Sequence, residues 1–306
     1  MTSPAGGDAA GPKRVKGGMS DRMLPVDGNL LKAVILDVDG TMYRQGPVRR
    51  AMFLRLLCAC IGHPVHGVKT LRALRAYRNA QDVLRVSGWG EGDLAEAHCR
   101  LAAEWTGLDR ERVRASVTRW MEQEPLDLLR RSAREGLREF LEAAQGCGVR
   151  LGVFSDYPAA RKLDAMGIAG FFDVVACATD PGVQRFKPHP RGLTVVLERL
   201  GVEPRRALYI GDRGEVDGAA ADAAGIPCVL IGRRPAVANG AGWITMSGYP
   251  ELRQAICGRI DGSRRSRGAC PGPFSSRVPH DGTGGRRSPR SGSSSGASNQ
   301  GIGHPC

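Results

Sequence analysis

Several acidic residues stand where short apolar runs stop. The run at 33 to 36 (AVIL) ends in Asp37, followed by Val38, Asp39, Gly40 and Thr41. A second, at 151 to 154 (LGVF), ends in Ser155 and Asp156. A third, at 207 to 211 (ALYIG), ends in Asp212, with Asp217 five residues on, and Lys187 precedes Pro188 in a separate loop. In open α/β sheets, ligands gather beyond the carboxyl ends of the strands. Four segments would then bring carboxylates, a hydroxyl and an amine into one crevice. Gathered aspartates repel unless a cation neutralises them, and an all-oxygen donor set favours Mg2+. Phosphate is the natural second guest: Lys187 offers a point cation, Ser155 a hydrogen bond, and Gly40 a tight turn that exposes backbone NH groups to an anion.

The elements that must position these groups follow from the same pattern. Continuous apolar runs at 33–37, 149–155, 172–178, 207–212 and 227–232 read as strands buried on both faces of a parallel sheet. Helical periodicity fills the gaps at 130–145, 158–166, 190–200 and 215–224, each ending near a glycine (Gly146, Gly167, Gly201, Gly225) suited to a C-cap. Strand alternating with helix predicts a doubly wound, Rossmann-like α/β domain. Residues 44 to 129 carry no convincing strand. They show helical stripes of Leu54, Leu57 and Cys58, of Leu71, Leu74 and Tyr77, and of Val113, Val117 and Trp120, all expected to be core. The expected organisation is an α/β core over 31–43 and 130–257, an inserted helical subdomain over 44–129, and two disordered tails, 1–30 and 258–306. The tails are rich in Gly, Pro, Ser and Arg and have no apolar pattern.

The net charge of +13 is unevenly spread. Residues 258 to 306 hold eight Arg against Asp261 and Asp281, or +6, and residues 44 to 85 hold nine Lys or Arg against Asp82 alone, or +8. The latter stretch should attract anions: a substrate, an anionic membrane surface or nucleic acid. Nucleic acid is disfavoured, because the interleaved aromatics of a single-strand binder are missing there. Nine cysteines, without a CxxC pair, fit a reducing compartment. The first thirty residues lack the apolar segment of a signal peptide, so a cytoplasmic location is expected.

The order DVDGT (37–41), Ser155, Lys187 in FKPHP and GDRGEVD (211–217) resembles the four motifs of the haloacid dehalogenase-like (HAD) superfamily of hydrolases. The resemblance covers about residues 32 to 232, and it implies an α/β core with the 44–129 insertion as a helical cap over the site. It further implies a Mg2+-dependent phosphatase acting on a small phosphorylated substrate. Asp37 would be the nucleophile that forms an aspartyl-phosphate, and Asp39 the general acid and base. Thr41, Ser155 and Lys187 would bind the phosphate. Mg2+ would be held by Asp37, Asp212 and the main-chain carbonyl of Asp39, with Asp217 binding directly or through water. Phosphomutase-type phosphoryl transfer is the alternative within this fold; a basic protein that binds membrane or nucleic acid is the alternative outside it.

Departures from the family pattern carry expectations of their own. Asp156 adds a carboxylate beside the phosphate site, which Arg213 would offset. Asp217 is preferred to Glu215 as the second motif acid, because the spacing lands on it. His63, His66 and His98 are expected in surface or capping roles, His189 stands close to Lys187, and Cys58 and Cys60 are expected to pack.

Overall fold

Strand β1 (Ala33–Leu36) is fully buried and hydrogen-bonded on both sides, pairing in parallel with β2 (Arg150–Ser155) and β4 (Ala207–Gly211). The computed structural model describes residues 30–88, 92–232 and 242–256. Its sheet has six parallel strands in the order β3-β2-β1-β4-β5-β6, with β3 at Val174–Cys177, β5 at Cys228–Ile231 and β6 at Trp243–Met246. Successive side chains of a strand point to opposite faces. Val34 and Leu36 accordingly join a core with Phe140, Leu141 and Tyr249, while Ala33 and Ile35 join another with Phe154, Leu193 and Val196. Helices on both faces explain why the strands read as unbroken apolar runs instead of alternating ones.

Between β1 and β2 the chain builds α1 (Gln45–Gly62), α2 (Pro64–Ser87), α3 (Leu94–Thr106), α4 (Arg110–Val117) and, after a π-helical turn at Thr118–Gln123, α5 (Leu126–Ser132). Asp93 and Asp109 cap α3 and α4 by accepting from first-turn NH groups. The segment leaves and rejoins the sheet region through a narrow neck. Arg44 N donates to Ser132 O at 2.8 Å, Arg134 N donates to Met42 O at 2.9 Å, and Tyr43 bridges Ala133 in antiparallel fashion.

The neck corrects the single helix expected over 130–145. The chain breaks between α5 and α6 (Leu137–Gly146), because residues 132–134 are committed to pairing with 42–44. Gly136 makes the turn, with φ of +77° and Pro250 so close that a Cβ would stand 2.8 Å from its Cδ. Gly146 is itself the last helical residue, and the cap is Cys147. The remaining elements are α7 (Ala160–Met166), α8 (Arg191–Leu200), a π-helical turn at Gly214–Gly218 leading into α9 (Ala219–Ala223), and a last helix at 249–256. The sequence pattern does not predict strand β6: at the sheet edge Trp243, Ile244 and Thr245 are half-exposed, only Met246 is buried, and the polar Thr245 interrupts the apolar run.

Two expectations about packing fail. Leu74, Tyr77, Val113, Val117 and Trp120 are buried, but Leu54 is 59% and Leu57 46% exposed, Leu71 is exposed as well, and Cys58 lies on the surface. Helical spacing marks a face without saying what covers it. His98, in turn, is fully buried, stacked on Tyr77 with ring centroids 3.5 Å apart. The expected tails, 1–30 and 258–306, lie outside the described residues but for Leu30.

Candidate active site

Asp37 continues the β1–β4 ladder one residue past the strand: its N donates to Ile210 O at 2.9 Å. Its side chain is thereby placed at the carboxyl end of the sheet's central strands. The chain then turns at Gly40, whose φ is +100°. A Cβ there would lie 2.1 Å from Asp212 Oδ2, so only glycine lets this backbone lie against Asp212. Arg134 holds the turn from the neck, donating twice to Gly40 O at 3.0 and 2.6 Å. Tyr249 donates to Thr41 O at 3.1 Å.

Lys187 enters from the loop before α8 and is 1% exposed. Its Nζ donates to Asp37 Oδ1 at 2.5 Å and to Asp217 Oδ1 at 2.7 Å. Asp217, on the π-helical turn, is fully engaged: Oδ1 also accepts from the Tyr209 hydroxyl at 2.9 Å, and Oδ2 accepts from Asp212 N and Arg213 N at 3.3 and 3.1 Å. Glu215, by contrast, is exposed.

Among the described residues, Asp37, Asp212 and Asp217 offer carboxylate oxygens within 4.8 Å of one another. Three carboxylates against one ammonium leave two negative charges in a buried site, and the titration behaviour reflects this. Burial pushes Asp37 up to about 8 despite Lys187, and burial followed by the charge of Asp217 pushes Asp212 up to about 6. Burial also opposes ionisation of Asp217, but Lys187, Tyr209 and the backbone amides outweigh it and hold that carboxyl below its ordinary range. Burial would lower Lys187, yet the charges of Asp217 and Asp37 hold it well above its usual value. Asp212 Oδ1 is buried without a hydrogen-bond partner. A hard divalent cation fits this site, because it would complete the charge and engage the orphaned oxygen.

Asp39 points elsewhere. Its oxygens accept from Lys162 Nζ at 2.7 and 2.6 Å, and Tyr43 donates to Oδ1 as well. Burial raises its pKa, but Lys162 and Tyr43 outweigh burial and hold it below the ordinary carboxylate value. Ser155, 1% exposed, accepts from Tyr157 N at 3.3 Å, and Thr41 is fully buried with its hydroxyl unpartnered. Asp156 is not offset chiefly by Arg213. Its partner is Arg85 at the end of α2, at 2.5 Å, and its other oxygen accepts from Lys187 N at 3.0 Å. His189 accepts from Arg191 N at the start of α8, and His66 meets Arg112 on the surface.

Lys162, Tyr43, Tyr209 and Arg85 escaped the sequence reading. Lys162 carried a usable signal, because it shares the buried face of α7 with Leu163 and Met166, where a lysine needs a partner. Tyr209 was hidden inside an apolar strand, and Arg85 inside a basic stretch. Arg85 is one of several groups that bring α2 and α3 against the sheet loops. Tyr157 donates to Gln81 Oε1 at 2.7 Å, Leu94 N donates to Gln184 Oε1 at 2.5 Å, and Leu84 and Leu94 pack on Phe186.

The chain is 42% identical over 93 residues to a phosphoglycolate phosphatase of Escherichia coli K12, an alignment taking in 29% of this chain and 35% of the relative. It therefore spans about a third of the length of the curated relatives it matches at that level. A phosphoglycolate phosphatase of Pseudomonas savastanoi pv. phaseolicola is 28% identical over 209 residues, covering 67% of this chain and 70% of the relative. Among solved structures, a HAD-hydrolase of Bacillus subtilis bound to magnesium superposes with a TM-score of 0.51 at 16% identity, covering 74% of this chain and 98% of that one. That last likeness is one of fold. The family model for haloacid dehalogenase-like hydrolases matches residues 31–225, well over half the chain and every segment that meets at the carboxylate cluster, and the chain belongs to that family.

Proposed function

We propose that this hydrolase is a Mg2+-dependent phosphatase that cleaves a small phosphomonoester through an aspartyl-phosphate on Asp37. The observation that carries the reading is the buried set of Asp37, Asp212 and Asp217 around Lys187, with charge left over for one divalent cation. Asp37, Asp212 and the main-chain carbonyl of Asp39 would hold Mg2+. When bound, the ion supplies charge neutralisation for a phosphoryl group. Asp217, with both oxygens already taken, orients Lys187 and the loop after Asp212 and would act on the ion through water.

In the first step an Asp37 oxygen attacks phosphorus, the bond to the leaving oxygen breaks, and that oxygen takes a proton from Asp39. In the second, Asp39 takes a proton from water, whose oxygen attacks phosphorus and releases the Asp37 carboxylate. Lys162 holds Asp39 ionised at rest, so to serve as the acid Asp39 must turn from Lys162 toward the leaving oxygen and enter the first step carrying a proton taken from solvent. Lys187, Ser155, Thr41 and the backbone NH groups after Asp37 and Ser155 would bear the charge of the transferring group. The helices between β1 and β2 would cap the site, with Arg85 and Gln81 closing over Asp156 and Tyr157.

Two similar proteins are named phosphoglycolate phosphatases, so 2-phosphoglycolate heads the candidates. The test is phosphate release from a panel of phosphomonoesters, with Mg2+ and with chelator. Release that needs Mg2+ and vanishes in Asp37→Asn is expected. No release from any monoester, or Mg2+-independent release retained by that variant, would overturn the assignment. Asp39→Asn is expected to lose roughly 10²- to 10⁴-fold in kcat.

A further inference from the structure

Helix α1 is 18 residues long, yet it buries only Val48 and Met52. On its outward side Phe53, Leu54, Leu57 and Ile61 are 65, 59, 46 and 73% exposed. At about 100° per residue these four fall within one arc of about 100°, and Arg50 projects from the middle of it. Across the turn at His63, α2 repeats the arrangement. Val65, Val68 and Leu71 are 72, 55 and 46% exposed, exposed Arg72 and Arg75 lie on the same arc, and exposed Lys69 flanks it, about 40° beyond Val65. Single exposed apolar side chains are ordinary, but a run of them on two consecutive helices marks an interaction surface.

We propose that the α1–α2 hairpin docks on an anionic lipid membrane, its apolar side chains entering the headgroup boundary and its interleaved cations meeting lipid phosphates. The charge selects this occupant. Residues 44 to 85 carry nine Lys or Arg against Asp82, and Arg85 already takes Asp82. Among the described residues no ion pair engages Arg50, Lys69 or Arg75. A second copy of the chain meeting this face through a two-fold axis would set like charges together. A neutral, zwitterionic bilayer has no negative surface potential to draw the cations in. An anionic surface satisfies both halves of the pattern, and because no described helix is long and apolar enough to cross a membrane, the contact is interfacial.

Flotation of the full chain with vesicles tests the proposal, using phosphatidylcholine alone and phosphatidylcholine mixed with phosphatidylglycerol. Binding to the mixed vesicles only is expected. Each basic group near such a surface strengthens binding about fivefold, so Arg50→Glu, Lys69→Glu and Arg75→Glu together should weaken it by about a hundredfold or more. Phe53→Ser, Ile61→Ser and Val65→Ser together should weaken it as well, since charge alone does not anchor. All six sites are exposed, and an unchanged melting temperature shows the fold retained. If a triple variant loses its melting transition, Ile61→Ser alone provides the same comparison. The proposal is overturned by absence of flotation with the acidic vesicles. It is equally overturned if both triple variants float like the parent, which would place binding outside the hairpin. A dimer in sedimentation that the serine variant dissociates, with no flotation, would make the face a protein interface instead.

Discussion

The Lys162 ammonium stands 2.7 and 2.6 Å from the two carboxylate oxygens of Asp39, with the lysine side chain only 9% exposed. Lys162→Met would leave that carboxylate with Tyr43 alone. The expected loss is about 1.5 to 3 kcal/mol at neutral pH, the usual range for a hydrogen bond to a charged group. The pair holds the Asp39 carboxyl below its ordinary value near 3.8, so its contribution is present above that value and is lost as pH falls further. Urea unfolding at neutral and acid pH measures both. An unchanged midpoint at neutral pH would show that the pair contributes nothing.

In the metal-free protein the Asp37 carboxyl, pushed by burial up to about 8, favours its protonated form. Its contribution to stability is full below the ordinary value of 3.8 and is lost as pH rises through about 8. Asn at position 37 has no charge to bury. In chelator, the melting temperature of Asp37→Asn should therefore gain on wild type between about pH 5 and about pH 8.5. A difference that stays flat across this range would mean that Asp37 is ionised throughout.

Mg2+ needs Asp37 and Asp212 ionised, and both are raised in its absence, Asp212 to about 6. Binding should release protons, and the rise in melting temperature with Mg2+ should be larger near about pH 8 than near about pH 6. Asp212→Asn should remove most of that rise. Equal Mg2+ stabilisation in this variant and in wild type would exclude Asp212 from the ion site.

Arg85 and Asp156 pair at 2.5 Å, with side chains 13 and 6% exposed. Removing the arginine leaves a buried charge unpaired, so Arg85→Ala should cost about 3 kcal/mol or more. Adding Asp156→Asn removes the stranded charge and should recover part of the loss. A double-mutant cycle by urea unfolding checks this, and strictly additive effects would show that the pair is not coupled.

The apolar runs ending in Asp37, Ser155 and Asp212 were enough to place three strands and the crevice they face, because a strand buried on both sides must be continuously apolar and its polar groups can only follow it. The family's motif spacing favours Asp217 over Glu215; in the structure Asp217 lies inside the carboxylate cluster and Glu215 is exposed. Sequence could not say which way a polar side chain turns once inside. Asp37 and Asp39 are two residues apart, yet one faces Lys187 and the other Lys162, from elements 150 and 123 residues distant in the chain. Nor could periodicity tell a buried stripe from an exposed one. Leu74 and Tyr77 are buried, while the equally regular Phe53, Leu57 and Ile61 remain exposed. Pattern is a property of one segment. Burial, the pairing of charges and the pKa values that follow from them belong to what the other segments bring, and only the tertiary structure decides that.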